Sequence, residues 1–342
     1  MSMQHQSLPA YGYTSAPYAY GAPDAQADFK THPQDFIVEE VLGFEPSGEG
    51  EHLFLLLQTD DHNTRYTVKC LARLFAVKQR QVSYSGLKDR RGLTSQWFSI
   101  HLPGIAVEPD SKQLADAGIT LLRYGRHHRK LRIGTHKANR FHILLRSTDP
   151  CRLENRLRHI SEHGVPNYFG AQRFGHQAGN IDEVQEYLEK GELPSERAQR
   201  SRVLSCLRSW WFNGSLAQRV EGDSWNQWLP GDPIMLNGSQ SFFMEKAWSE
   251  ALQKRYDTGD VHPGAWLPGI DTDGLPNNMQ HLLVLAAMKS EPRPLRLLPC
   301  NLESEPDGDS LSLRFELPKG AFATTVLREL VFLNDVSTDQ TK

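Results

Sequence analysis

Asp89 is the residue whose setting most invites chemistry. It stands in SYSGLKDRRGLTSQW, residues 83–97, with Lys88 before it and Arg90 and Arg91 after it. Gly86 and Gly92 bracket the loop, and strand-like runs at residues 81–85 and 96–102 flank it. Cations at contact distance favour the charged form of a carboxylate, so Asp89 is expected to be ionised at neutral pH. An ionised carboxylate at two strand ends can act as a nucleophile toward an electrophilic carbon. The surrounding cations would also draw in a polyanion. The competing reading is a surface turn in which the aspartate bonds its own backbone.

A second feature lies at residues 121–146. This stretch carries Arg123, Arg126, Arg129, Lys130, Arg132, Lys137, Arg140 and Arg146, four histidines, and no Asp or Glu. The chain as a whole has a net charge of −3, so the average speaks weakly against a nucleic-acid binder. Distribution matters more than the average, and a single-sign block is an electrostatic footprint for phosphate. A solvated face on an ordinary strand pair is the alternative.

The elements that must position these groups follow from pattern. FIVEE at 36–40 reads as a short strand after the turn Pro33-Gln34-Asp35, and HLFLLLQ at 52–58 as a strand buried on both faces. Asn63 is placed to cap a helix over residues 64–77, with Val68, Leu71, Leu74 and Phe75 at helical spacing. Further strands are expected at 119–124, 141–146 and 311–317, and helices at 151–163, 202–220, 282–288 and 321–332. Strands and helices alternating in this way indicate an α+β fold with a mixed sheet. GVP at 164–166 reads as a domain boundary and EPRP at 291–294 as a return linker. Residues 1–28, rich in Ala, Pro, Tyr and Gly with few aliphatic side chains, are expected to be a disordered tail.

Several functions are disfavoured by what the chain lacks. There is no Walker loop, no dinucleotide fingerprint, no H-E-x-x-H and no G-x-S-x-G elbow. The four cysteines, Cys70, Cys151, Cys206 and Cys300, are widely spaced, which fits a reducing compartment and no zinc ribbon. No secretory leader or membrane-length apolar run is evident, so a cytoplasmic location is expected, with no membrane partner. No coiled coil or long apolar patch suggests an oligomer, so a monomer is expected.

Seven separated motifs then coincide, in order, with a known pattern. They are PQDFIVEE at 33–40, GEGEH at 48–52, Asn63-Thr64, GLKD at 86–89, RKLR at 129–132 with Asn139-Arg140-Phe141, VPNYFGAQRFG at 165–175, and GAFAT at 320–324. The chain resembles the TruD family of pseudouridine synthases over residues 30–330 or nearly so. The resemblance implies an enzyme without cofactor or metal that isomerises uridine in tRNA, with family habit favouring position 13 in the D arm. It implies a discontinuous catalytic domain over residues 29–164 and 299–342 and an inserted domain over 165–298. It places the catalytic aspartate on Asp89 and the substrate-binding residues on Phe36, Asn139, Phe141 and Phe322.

Residue chemistry is compatible with those assignments. A uridine must leave its stack to be reached. Phe36 and Phe322 offer faces on which a flipped base can stack, and Asn139 offers donor and acceptor to the uracil edge. Lys30, Lys88, Arg91 and Arg173 are candidate partners for phosphate or carboxylate. Two other functions stay open on the sequence: a non-catalytic RNA binder or chaperone, and a pseudouridine synthase acting on another RNA.

Overall fold

The computed structural model describes residues 15–60, 62–88, 91–175 and 178–336. Asp89, on which the catalytic expectation rests, and Arg90 lie outside the described residues, as do residues 1–14. The chain divides into two compact units, one of residues 1–23, 156–298 and 321–330, the other of residues 24–155, 299–320 and 331–342.

The second unit is built on an eight-stranded sheet. Its strands run, edge to edge, Cys300–Asp307, Ser310–Pro318, Ala138–Leu145, Phe36–Val41, Leu93–His101, His52–Asp60 and Ile119–His127, with Val82–Tyr84 also paired to Leu93–His101. Phe36–Val41 runs parallel to Leu93–His101 and antiparallel to Ala138–Leu145. The alternation of side chains along each strand sets the two faces. Phe36, Val38 and Glu40 are buried and face one way, opposite Ile143, Phe141 and Asn139 in register. On that same face Leu53, Leu55, Leu57, Phe98 and Ile100 pack against Val68 and Leu71 of the helix Thr64–Leu74. Asn63 caps this helix as expected, its side chain accepting from the Tyr66 N–H at 2.8 Å.

The other unit is organised around the 25-residue helix Arg197–Glu221. Val203, Leu207, Phe212 and Leu216 of that helix are buried with Tyr168, Val184, Met279, Leu282 and Leu295. Helices Gly179–Lys190 and Asn277–Leu285 and a small four-stranded sheet complete it.

Three expectations about organisation need correction. Residues 291–294 are not a linker but a strand, paired antiparallel with Val261–Leu267. Pro292 and Pro294 are accommodated because this is an edge strand, where a missing N–H deprives no neighbour. Residues 15–28 are not a disordered tail. Ala16 is 2% exposed, Arg328 donates to the carbonyls of Ala16 at 2.6 Å and Pro17 at 3.3 Å, and the Ala19 N–H donates to Glu329 at 2.9 Å. Gln26–Phe29 pairs in parallel with Phe332–Asp335. Hydrogen bonds to its main chain, together with burial of small alanines such as Ala16 and Ala27, order this segment, which is why composition misreads it. Finally, residues 321–330 belong to the unit containing 156–298, not to the sheet unit. The Thr325 hydroxyl of helix Ala323–Leu330 donates to the Tyr168 carbonyl at 3.2 Å.

Candidate active site

The turn that leads into Phe36 is built by Asp35. The Asp35 side chain accepts the His32 N–H at 2.9 Å and receives the Arg146 guanidinium at 2.7 and 2.9 Å. Burial acts to raise the carboxyl of Asp35, but the bonds from Arg146 and His32 hold it below its ordinary value. Asp35 therefore shapes the chain rather than doing chemistry. The aligned fork explains why an acidic residue here and an arginine at 146 go together.

Phe36 is then fixed from several sides. Its ring meets Phe29 edge-on at 5.3 Å and Phe141 at 6.1 Å, and the Lys30 ammonium sits over it at 4.3 Å from the centroid. Phe141 stacks on Phe315 at 5.5 Å. Gly92 has φ +128°, and a Cβ there would lie 2.6 Å from the Phe36 carbonyl oxygen. Only glycine permits this approach. Phe36 and Phe141 are 4% and 6% exposed, so they form a wall of the sheet's buried face.

At one end of that wall the face turns polar. Glu40 and Asn139 are directly opposite one another in register. The Lys88 ammonium bridges them, 2.8 Å from Glu40 Oε2 and 2.7 Å from Asn139 Oδ1. The second Glu40 oxygen accepts the Trp97 N–H at 3.3 Å. The Lys88 and Glu40 side chains are 7% and 0% exposed. Such a pair persists because each charge compensates the other's desolvation.

The main chain of the loop is anchored as well. The Lys88 N–H donates to the Thr64 hydroxyl at 3.1 Å, and that hydroxyl donates to Gln96 Oε1 at 3.0 Å. The Gln96 amide group in turn donates to the Gly86 carbonyl. Residues 86–88 are thereby tied to the first turn of the helix, to the strand Leu93–His101 and to Asn139. His136 is buried beside them, its Cε1 3.3 Å from where a Gly86 Cβ would sit. Burial and the neighbouring Lys88 hold its imidazole below the usual value, so it is neutral at pH 7.

The structure thus brings Phe36, Phe141 and Asn139 onto one face, beside the residue that immediately precedes Asp89. It changes the expected electrostatics of the loop, since the Lys88 charge is directed to Glu40. Phe322 belongs to the other unit, where it is half-buried and packs against Gly170; a Cβ on Gly170 would lie 3.8 Å from its Cγ. Glu40 and Thr64 stood inside motifs of the sequence but were given no role there. An acidic residue at an inward-facing strand position was the available signal, because it must find a cation.

The basic segment divides in two. Arg123 pairs with Glu45 at 2.6 Å, Arg140 with Glu316 at 2.7 Å and Glu39 at 3.4 Å, and Arg146 with Asp35. Arg126 donates to the Leu102 and Ile105 carbonyls. Arg129, Lys130, Arg132 and Lys137 are exposed, and none of them is ion-paired among the described residues. Among the described residues there is also no cluster of three or more His, Cys, Asp or Glu that could hold a metal ion. No helix there is long and apolar enough to cross a membrane.

Comparison with known proteins gives this arrangement a context. The chain matches the family described as tRNA pseudouridine synthase D (TruD) over residues 14–198 and 196–330. The chain belongs to that family. A tRNA pseudouridine synthase D of Pseudomonas syringae pv. syringae is 42% identical over 334 residues, covering 93% of this chain and 94% of its own. One from Methylococcus capsulatus is 40% identical over 337 residues, covering 94% and 95%. The crystal structure of a putative TruD protein from Methanosarcina mazei superposes with a TM-score of 0.65 over 92% of this chain and 95% of that one. At 21% sequence identity that last likeness speaks to the fold alone. The α+β fold with a mixed sheet is as the sequence indicated. As a TruD family member the chain is an isomerase.

Proposed function

We propose that this protein isomerises uridine to pseudouridine in tRNA, at position 13 of the D arm, with Asp89 as the nucleophile. The family supports the reaction and the RNA class. The observation that carries the assignment to this loop is the threefold anchoring of Lys88 by Glu40, Asn139 and Thr64. It constrains the backbone one residue before Asp89 and keeps it beside the face that carries Asn139, Phe141 and Phe36. Preorganisation of this kind is what a nucleophile requires.

In this reading the target base leaves its stack and enters against Phe36 and Phe141. Asn139 accepts one bond from Lys88 on its oxygen, which leaves its amide N–H groups and a second lone pair for the uracil edge. The Asp89 carboxylate adds to C6 of the base or to C1′ of the ribose. By either route the bond from C1′ to N1 breaks and a bond from C1′ to C5 forms. The C5 proton leaves, a proton is taken up at N1, and the carboxylate is regenerated. Atoms and electrons balance with no external oxidant or reductant.

The test uses a full-length unmodified tRNA transcript with wild-type protein and Asp89→Asn. Carbodiimide labelling and primer extension should show one new stop in the D arm with wild type and none with the variant. Binding of the transcript should survive, since loss of a negative charge does not weaken the grip on a polyanion. A stop that persists with Asp89→Asn would remove the nucleophile from this reading. Tight binding with no stop for wild type would favour a binding-only role or another RNA.

A further inference from the structure

Several arginines of the unit around helix Arg197–Glu221 have a carboxylate. Arg202 pairs with Glu183 at 2.9 Å, Arg219 with Asp232 at 3.0 Å, Arg255 with Asp260 at 2.6 Å and Arg328 with Glu329 at 2.8 Å. Among the described residues Arg173 and Arg293 do not, and neither do Arg156, Arg200 and Arg296, which donate to carbonyl oxygens or to the His262 ring. Arg173 donates to the Ser205 hydroxyl at 2.7 Å, and Arg293 donates to the Asn167 carbonyl at 3.3 Å and to Asn167 Oδ1 at 2.8 Å. Both lie at one ring: their guanidinium carbons are 5.2 and 3.8 Å from the Phe169 centroid. The Arg293 Nε–H is buried with no acceptor among the described residues. Both residues remain half-buried rather than sealed.

Two guanidiniums sharing one aromatic ring repel each other, and burial penalises both. Burial, reinforced by Arg173, pushes Arg293 down to about 9, which leaves it charged at neutral pH. Burial lowers Arg173 as well. An arrangement with two unpaired cations and unspent N–H donors lacks an anion. The ring cannot replace one, since a cation–π contact satisfies no donor. The geometry is held independently of any ligand. Phe169 is clamped through both its N–H, at 2.8 Å, and its carbonyl, at 2.9 Å, by the Asn213 amide.

We propose that Arg173 and Arg293 form an anion site that takes a phosphodiester of the RNA substrate. A planar fork presents paired donors to phosphate oxygens, and a phosphodiester satisfies two cations where neutral protein groups cannot. This rests on the RNA reading given above and adds to it a phosphate contact made by residues other than those of the basic segment 121–146. The role is positioning of the polyanion, not chemistry on the base.

The deciding experiment has two arms. Binding of the tRNA transcript is measured over a salt series for wild type, Arg173→Gln, Arg293→Gln, the double variant and the matching lysine variants. Each glutamine should lower the slope of log affinity against log salt by about 1 and weaken binding about tenfold. The lysines should keep the slope while losing part of the affinity, because charge is retained but the fork is not. In the second arm the RNA-free protein is melted in inorganic phosphate against chloride at equal ionic strength. Phosphate should raise the melting temperature of wild type and not of the double glutamine variant. Unchanged slopes with an equal phosphate shift overturn the site and leave the arginines a packing role only. Failure of wild type to bind the transcript would instead strike at the RNA reading, and the phosphate arm alone would then decide whether the anion site exists.

Discussion

One buried cationic site in each unit shows the opposite arrangement to the other. In the sheet unit Lys88 is enclosed with Glu40, and both ends of the pair have further partners in Asn139 and the Trp97 N–H. In the helical unit Arg173 and Arg293 lie against Phe169 with hydroxyl, amide and carbonyl oxygens but, among the described residues, no carboxylate. A buried charge with its counterion present is a fixed structural part, and removing either partner leaves the other stranded. A buried charge without one is held at a loss until something arrives. The first arrangement suits a loop that must not move; the second suits a surface that waits for an anion.

The comparison can be broken most directly at Glu40. Glu40→Ala leaves the Lys88 ammonium buried and unpaired, and should destabilise the protein by about 3–5 kcal/mol in urea unfolding. Glu40→Leu combined with Lys88→Met should recover most of that loss, since an apolar pair of similar volume escapes the desolvation penalty. It should not recover pseudouridine formation, because the anchor beside Asp89 is gone. A single variant no less stable than wild type would mean that the pair is not structural.

The next effect is read by pH. Burial, reinforced by the facing Arg296, pushes His262 down to about 3, with Asp260 opposing. Its Nδ1 accepts from the Arg296 Nε at 3.1 Å, a bond that protonation would end. The unfolded imidazole titrates near 6.5, so the contribution is fully present above that pH and is lost as pH falls toward 3. At pH 5 the loss should be about 2 kcal/mol. His262→Gln should flatten stability against pH between 7 and 5, measured by denaturant titration at each pH. A slope unchanged by that substitution would mean that the imidazole titrates normally in the folded protein.

A smaller effect, of the contrasting sign, is expected in the helical unit. Arg293→Met removes an unpaired cation while keeping its length, so it should cost no more than about 1 kcal/mol in the absence of RNA and can raise stability. A loss as large as that of Glu40→Ala would erase the difference between the two arrangements and argue that Arg293 is a structural residue.

How much of this the sequence disclosed depends on the kind of interaction. Helix Thr64–Leu74 was legible because its cap and its apolar spacing are local. The strand Ser310–Pro318 was legible because it alternates. The order of strands was not, since Phe36–Val41 lies between Ala138–Leu145 and Leu93–His101, partners separated from it by dozens of residues. The candidate site, as proposed, divides the same way. Asn139, Phe36 and Phe141 could be named from motifs. The bridge from Lys88 to Glu40 and Asn139 could not, because it joins three stretches and appears only once register sets Glu40 opposite Asn139. The N-terminal segment shows the reverse error: a composition with few aliphatic side chains looked unable to order, yet Arg328 and Glu329 hold the backbone of residues 16–19.

The smallest expected effects lie in the basic segment, and they extend the same contrast to the surface. Arg140 is already engaged, with Glu316 and then Glu39 raising its pKa, so its charge is largely neutralised locally. Arg132 is exposed with no ion pair among the described residues. Counting charge in the sequence treats the two alike. If the pairing decides availability, Arg132→Ala should lower the salt slope of tRNA binding by about 1, while Arg140→Ala should change it much less. Arg140→Ala should cost under about 1 kcal/mol of stability, as expected for an exposed ion pair, and Arg132→Ala essentially none. Equal slopes for the two variants would show that RNA displaces Glu39 and Glu316 from Arg140 on binding. The free phosphate contacts would then have to be counted from the sequence after all, rather than from the charges the folded protein leaves unpaired.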